Sequence, residues 1–305
     1  MKLVTYRASV ASDARLGVIE NGLIIDVERL GDVVGEMLPD NMLDLIDQGP
    51  DALNVLRHAL QETSGSRPAG ISCSQENVRL LAPIPRPRKN IFGIGLNYVE
   101  HVAESAKSLD TSKDLPEKPV VFSKPPTSVI ANGEPIQHNA AMTQQLDWEV
   151  ELAVIIGKRA TRISKDSAMD HVFGYSVIND VSARDNRRAG QWIFSKGQDS
   201  YCPFGPAIVT ADDIADPHNL ELWLSKNGEE KQRSNTKFLL FDIPTLISDI
   251  SSGITLEPGD IIATGTPAGV GAGRDPQEWM WPGDVIECGV EGVGVLTNPV
   301  IRIGN

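Results

Sequence analysis

Leu146-Asp147-Trp148-Glu149-Val150-Glu151-Leu152-Ala153-Val154-Ile155-Ile156-Gly157 alternates in polarity and then turns wholly apolar. Side chains two apart on an extended chain share a face. The pattern therefore predicts a strand with Asp147, Glu149 and Glu151 on one face and Trp148, Val150 and Leu152 on the other. Like charges on one face repel, and a strand tolerates them where that face meets water or where a cation sits among them. The apolar run after Glu151 sets this end near a core and favours the cation; an edge strand with a wetted acidic face is the competing reading. A second segment, Tyr175-Ser176-Val177-Ile178-Asn179-Asp180-Val181-Ser182-Ala183-Arg184-Asp185, is an apolar strand with polar residues at its end. Asp180 stands where that strand runs out, a common place for a site residue on a rigid support. Two glutamates and an aspartate form a hard, all-oxygen donor set, which suits Mg²⁺, Mn²⁺ or Ca²⁺ rather than zinc or copper. Such a set leaves about three octahedral positions for water and substrate.

Outward from these strands, the remainder from about Ile91 alternates short β-like runs with turns. Pro258-Gly259-Asp260 and Pro282-Gly283-Asp284 repeat one turn chemistry, proline pre-setting φ and glycine taking the left-handed position. Each leads into a β-like run, Ile261–Thr264 and Val285–Cys288, and a helix is expected over about Ile243–Ser251. Toward the N-terminus, Leu16–Ile19 and Leu23–Val27 flank Glu20-Asn21-Gly22, a hairpin signature. Leu53, Leu56 and Leu60 recur at helical spacing, with Asp51 as the expected cap. The loop Thr63–Gly70 and the prolines at 83, 85 and 87 bracket a boundary, so a small N-terminal α/β domain is expected over 1–75 and a larger domain over 76–305. The whole reads as β-rich α+β rather than as a βαβ array.

Composition narrows the function. With 28 Lys+Arg against 41 Asp+Glu, the net charge of −13 disfavours nucleic acid and anionic membrane surfaces as partners. Cys73, Cys202 and Cys288 are scattered and odd in number, which indicates neither a zinc knuckle nor a disulfide framework and fits reduced thiols in a cytoplasmic protein. The start of the chain lacks an apolar stretch of signal-peptide length, and no window approaches the ~18 apolar residues of a membrane span. Gly269, Gly271 and Gly273 precede Arg274-Asp275-Pro276 rather than a helix, so they read as a loop and not a nucleotide fingerprint. No serine sits in a nucleophile elbow, and His58, His138, His171 and His218 have no metal-ligand spacing.

The chain resembles the fumarylacetoacetate hydrolase family, especially its acylpyruvate hydrolase and oxaloacetate decarboxylase branch. The matching segments run in the family's order: Gly93–Tyr98 followed by His101, Lys118–Pro125, Trp148–Leu152, Asn179–Asp185, Lys196–Asp199 and Gly259–Pro267. The resemblance implies a mixed β-roll catalytic domain, a homodimer, and Mg²⁺ or Mn²⁺ held by Glu149, Glu151 and Asp180; Ca²⁺ is an expected substitute in a crystal. It maps a His-x-x-Glu pair onto His101 and Glu104 and a lysine onto Lys196, the candidate catalytic residues. Arg184, Arg187 and Thr266 are the candidate substrate-binding residues. Relatives usually carry Arg-Asp-x-Gln, whereas Arg184-Asp185-Asn186-Arg187 has arginine at the glutamine position. An arginine there could bind a second carboxylate bidentately, or face solvent.

On a helix His101 and Glu104 share a face, and a carboxylate beside an imidazole fixes its tautomer and raises its basicity, as a general base needs. An exposed, charge-laced helix has the same spacing. The polar stretch from Lys107 to Glu117, which contains Pro116, is expected to be a mobile lid. The leading expectation is metal-dependent hydrolysis of an acylpyruvate or related 2,4-dioxo acid, or decarboxylation of oxaloacetate. Both reactions leave an enolate that a metal chelated by the 2-oxo acid stabilises. The alternatives are isomerisation or tautomerisation of an unsaturated oxo-diacid, or sugar-acid dehydration, on the same scaffold. From another class comes a non-catalytic, metal-stabilised binding module, for which a His101–Glu104 pair has no use.

Overall fold

The Val150–Ile156 strand lies inside the larger of two main sheets, antiparallel to Val172–Asn179 on one side and to Ile261–Ala263 on the other. The computed structural model describes residues 1–108, 114–188 and 190–304, the side chains of 105–108 excepted. Every residue of the Val150–Ile156 strand is buried. Val150, Leu152, Val154 and Ile156 face one apolar cluster, where they meet Leu222, Leu224, Ile286 and Leu296 of the second sheet. Ala153 and Ile155 face another, which holds Leu45, Ile46, Leu53 and Leu56 of the helix Met42–Thr63. A period-two strand thus feeds two cores, each buried aliphatic side chain contributing roughly 1.5–3 kcal/mol. This overturns the wetted edge strand as a reading of the acidic segment.

The strand is shorter than its sequence suggests. Leu146–Asp147 forms a separate two-residue ladder with Ser182–Ala183, and Trp148 and Glu149 lie between the two pieces. The break is held by the Asp147 carboxylate, which accepts from the backbone N–H groups of Trp148, Gly271 and Ala272. Asp147 is therefore tied to a loop, while Glu149 and Glu151 point elsewhere together.

The architecture is β-rich α+β, as expected. The larger sheet has 12 strands. Its main path runs Ser72–Ser74, Leu23–Asp26, Arg15–Glu20, Lys2–Arg7, Cys202–Thr210, Val172–Asn179, Val150–Ile156, Ile261–Ala263, Ile91–Gly95 and Val120–Lys124. The second sheet has five, in the order Glu229–Asn235, Glu221–Lys226, Val285–Val290, Gly294–Arg302 and Ile136–His138. The N-terminal strands join the larger sheet through Lys2 opposite Val209 and Leu3 opposite Ile208.

Local chemistry explains most of the elements. Asn21 (φ 50°) and Gly22 (φ 79°) make the left-handed turn between Arg15–Glu20 and Leu23–Asp26. Gly259 (φ 85°) and Gly283 (φ 103°) do the same work in the two Pro-Gly-Asp turns. The expected helix after Phe241 runs over Ile243–Gly253, with Asp242 accepting from the Thr245 N–H at 2.9 Å. The N-terminal helix departs from expectation. It starts at Met42 with Asn41 as its cap, breaks at Gly49 (φ 70°), and resumes at Pro50. Asp51 lies in the first turn of that second piece rather than capping it, because Pro50 lacks an N–H and fits the first helical position. Helix Val99–Ser108 carries His101, as expected. Of the anticipated lid, residues 109–113 lie outside the described residues. No helix among the described residues is long and apolar enough to cross a membrane.

Candidate active site and metal centre

Antiparallel register brings the acidic residues together. Val150 pairs with Asn179 and Glu151 with Ile178, so Glu149 and Asp180 stand one step past the end of the ladder, joined by the Asp180 N–H to the Glu149 carbonyl at 2.8 Å. The ligand oxygens of Glu149, Glu151 and Asp180 lie within 4.8 Å of one another, and the residues are 4%, 1% and 0% exposed. Glu151 Oε2 accepts from the Gly265 N–H at 2.8 Å. Glu151 Oε1 is buried with no hydrogen-bond partner among the described residues. A buried, unpartnered carboxylate oxygen beside two further carboxylates is costly unless a cation satisfies it. The donor set, all hard oxygen, fits a divalent metal of the Mg²⁺ or Mn²⁺ kind.

Three cations surround the cluster and set its electrostatics. Lys196 Nζ donates to Glu149 Oε2 at 2.7 Å and to Asp180 Oδ2 at 2.6 Å. Lys124, fully buried, donates to Asp180 Oδ1 at 2.5 Å and also to the Lys196 carbonyl. Arg184 pairs with Asp147 at 2.8 Å and with Glu149 at 2.6 Å. Burial works against ionisation of Glu149, but the Lys196 and Arg184 charges outweigh it and hold the carboxyl well below the usual range. Burial also works against the Lys196 ammonium, and the Asp180 and Glu149 carboxylates outweigh it there, so Lys196 stays charged. Glu151 goes the other way: burial, then the negative charges of Asp180 and Glu149, push it well above the usual carboxylate range. A cation would take the place of that proton.

A cavity of about 450 Å³, counting its open mouth, lies against this cluster, its lining including His101, Glu149, Arg184, Arg187, Lys196 and Thr266. His101 Nδ1 lies 3.2 Å from Glu104 Oε2, and the Gly269 N–H donates to Glu104 Oε1 at 3.0 Å. Glu104 thus takes Nδ1 and leaves Nε2 as the basic nitrogen. Thr266 accepts from Gln232 Nε2 at 2.8 Å, and Gln232 Oε1 accepts from the Val150 N–H at 3.0 Å, which ties the threonine to the carboxylate strand. The cavity wall is made by a backbone that few residues adopt. Leu96 has φ 58°, and the buried Asn97 beside it clamps the turn through the Phe241 N–H and the Phe241 and Thr264 carbonyls.

All nine residues singled out from sequence come to this region, with different attachments. Lys196 and Arg184 line the cavity while bound to carboxylates. Arg187 also lines it, its guanidinium 4.9 Å from the Trp192 ring centroid. Sequence reasoning passed over Lys124 and Trp192. Gly93 and Gly95 held the signal for the aromatic wall. Two glycines on one strand face allow close approach, and a Cβ at either would stand 2.3 Å from Phe122 or 2.4 Å from Trp192. Lys124 stood inside the matching segment Lys118–Pro125, at the end of a strand, but nothing in the sequence assigned it a partner.

Comparison with known proteins agrees with this geometry. The family description "Fumarylacetoacetate (FAA) hydrolase C-terminal" matches residues 90–301. The oxaloacetate tautomerase YisK of Bacillus subtilis (strain 168) is 40% identical over 293 residues, covering 92% of this chain and 95% of its own. Among solved structures, a fumarylacetoacetate hydrolase from Exiguobacterium antarcticum superposes with TM-score 0.81 at 37% identity, covering 99% of this chain and 100% of its own. The maleylpyruvate hydrolase of Sphingobium sp. SYK-6, solved with manganese(II) and pyruvate, superposes with TM-score 0.78 at 30% identity over 100% of both chains. A buried Glu-Glu-Asp cluster at a strand end, a His101–Glu104 pair whose histidine lines the same cavity, and these matches lead to one assignment: the chain belongs to the fumarylacetoacetate hydrolase family.

Proposed function

We propose that the chain is a divalent-metal-dependent tautomerase that interconverts the keto and enol forms of a 2-oxo acid, with oxaloacetate as the substrate class. The observation that carries this reading is one cavity lined both by Glu149 of the carboxylate cluster and by the Glu104-backed His101. The similarity to an oxaloacetate tautomerase at 40% identity supports tautomerisation over the hydrolysis or decarboxylation expected first.

Glu149, Glu151 and Asp180 would hold the cation. When bound, a divalent ion there supplies Lewis-acid polarisation of the substrate's oxo group. His101 takes the proton from substrate C3 at Nε2 and delivers it to the oxo oxygen to complete the enol, the reverse direction running the same two transfers backwards, while Glu104 holds the ring and steadies its positive form. Lys196 has three N–H donors, of which Glu149 and Asp180 hold two, and the third is available to the oxygen that gains charge. Tautomerisation needs only this proton movement. Hydrolysis needs the same base to activate a water as well.

The test follows the enol band of oxaloacetate with Mn²⁺, with EDTA, and with His101→Ala. Metal-dependent acceleration is expected, with a loss of about 10²–10⁴-fold in the variant and an unchanged metal-induced rise in thermal midpoint. Pyruvate release without faster keto–enol exchange would instead establish a decarboxylase, and cleavage of acylpyruvates alone a hydrolase.

A further inference from the structure

We infer that Gly273 is a positioning residue for the His101 base: the loop Gly269–Gly273 seats the Glu104 carboxylate, in the space that a side chain at Gly273 would fill. The inference rests on His101 acting as the base of the proposed tautomerisation and adds what aims it.

The three alternate glycines of this loop serve three different contacts. Gly269 has φ 103°, and a Cβ there would collide with the Lys231 carbonyl of the second sheet. Gly271 and Gly273 have no positive φ, so the backbone alone does not call for glycine, and space does. A Cβ at Gly271 would stand 2.7 Å from Asp147 Oδ1. A Cβ at Gly273 would stand 2.1 Å from both the carboxyl carbon and Oε1 of Glu104.

The loop is fastened from the carboxylate strand. Asp147, wholly buried, accepts from the Gly271 N–H at 2.6 Å and the Ala272 N–H at 3.0 Å, and Trp148 Nε1 donates to the Gly269 carbonyl at 3.1 Å. These two residues directly precede Glu149. The Gly269 N–H in turn donates to Glu104 Oε1 at 3.0 Å and Oε2 at 3.2 Å, and Oε2 lies 3.2 Å from His101 Nδ1. The run Asp147–Glu149 thus fixes one residue of the cation cluster and, through the loop, the carboxylate behind the base. With the loop pinned and the Glu104 carboxylate at the end of a flexible side chain, a methyl at position 273 displaces the carboxylate rather than the loop. His101 then loses the acceptor that sets its tautomer and leaves Nε2 as the basic nitrogen.

The experiment compares Gly273→Ala, Glu104→Ala and the double variant. For oxaloacetate keto–enol exchange with Mn²⁺, Gly273→Ala is expected to lower kcat by about 10- to 100-fold, with KM and the Mn²⁺-induced rise in thermal midpoint unchanged. In the Glu104→Ala background the same substitution should cost nothing further, because the carboxylate it displaces is gone. By NMR of the metal-free protein, the Gly269 amide proton, which a carboxylate acceptor draws downfield, should move upfield in Gly273→Ala as it does in Glu104→Ala. Full activity in Gly273→Ala, losses that multiply in the double variant, or an unmoved Gly269 resonance overturns the assignment. If Gly273→Ala fails to fold, a folded double variant supports the seat and an unfolded one overturns it. A wild-type protein without keto–enol exchange, whose Gly269 resonance moves in both single variants, overturns the tautomerase reading and keeps the seat.

Discussion

Replacing Glu151 with glutamine tests the cation site without any assay of turnover. Glu151 is 1% exposed, one of its oxygens has no partner among the described residues, and its neighbours include two more carboxylates. Burial, reinforced by Asp180 and Glu149, raises its pKa well above the ordinary value. A folded pKa above the unfolded one means that the metal-free native state keeps a proton the unfolded chain has released. Stability from this group is therefore full below the unfolded value of about 4.3 and falls by ~1.4 kcal/mol per pH unit as pH rises toward the folded value. Glutamine copies the shape of the protonated acid, cannot ionise, and offers an amide to the Glu149 and Asp180 oxygens. In EDTA at pH 8, Glu151→Gln should be more stable than wild type by about 1–3 kcal/mol, the usual cost of an unsatisfied buried polar group. At pH 4 the two should nearly coincide. Mn²⁺ at a hundred times Kd should raise wild type by about 2.7 kcal/mol and the variant by far less. Urea titrations at both pH values, with Mn²⁺ or EDTA, read all of this. A variant less stable than wild type at pH 8 and still raised equally by Mn²⁺ would refute the reasoning.

Lys124→Met removes a fully buried ammonium from Asp180 and should cost about 3–5 kcal/mol in a denaturant titration; a loss below ~1 kcal/mol would mean the pair is dispensable. Gly265→Ala forces a side chain onto φ 102° with its Cβ 2.7 Å from Asn97 Cβ, moving the N–H that holds Glu151. It should lose about 1–3 kcal/mol of stability together with Mn²⁺ affinity by calorimetry, and unchanged affinity would contradict the role given to that N–H. Burial opposes ionisation of Asp26, but Arg15, the Arg29 N–H and the Tyr6 hydroxyl outweigh it and hold its pKa below the ordinary value. Its contribution is present above the unfolded value of about 3.9 and is lost as pH falls through the folded one, so Asp26→Asn should cost about 1–2 kcal/mol at pH 7 and flatten the acid limb of the stability curve. An acid limb identical to wild type would remove Asp26 from it.

The parts of this site that were legible in sequence are those fixed by local chemistry. Asn21-Gly22 can hardly be anything but a left-handed turn, and Glu149, Glu151 and Asp180 announce themselves as acids against apolar strands. The parts that were not depend on partners far along the chain. Asp147 shares the alternation of Glu149, yet Gly271, Ala272 and Arg184 draw it out of the cluster. Lys124 looks like any lysine before a proline, and only the fold sets it against Asp180, 56 residues away. The kink at Gly49-Pro50 was hidden because the leucine spacing after it continues as though no break occurred. Arg187 stood between pocket and solvent in sequence, and its place in the cavity lining depends on Trp192, five residues further along the chain.

The ladder between Lys2–Leu3 and Ile208–Val209 bears on how this chain can be cut. The segment 90–301 that defines the family carries the whole carboxylate cluster, and expression of that segment alone is the natural minimal fragment. Such a fragment would bare part of the Cys202–Thr210 strand edge and uncover Ile178, Phe204 and Ile208, which pack with Leu3, Leu16 and Ile25. An open edge beside an uncovered apolar face recruits other chains. The fragment should therefore precipitate or form strand-paired aggregates, and a separately supplied peptide spanning 1–89 should rescue it by fragment complementation. Insertions and affinity tags belong instead in the exposed 64–66 turn, where no sheet partner is displaced.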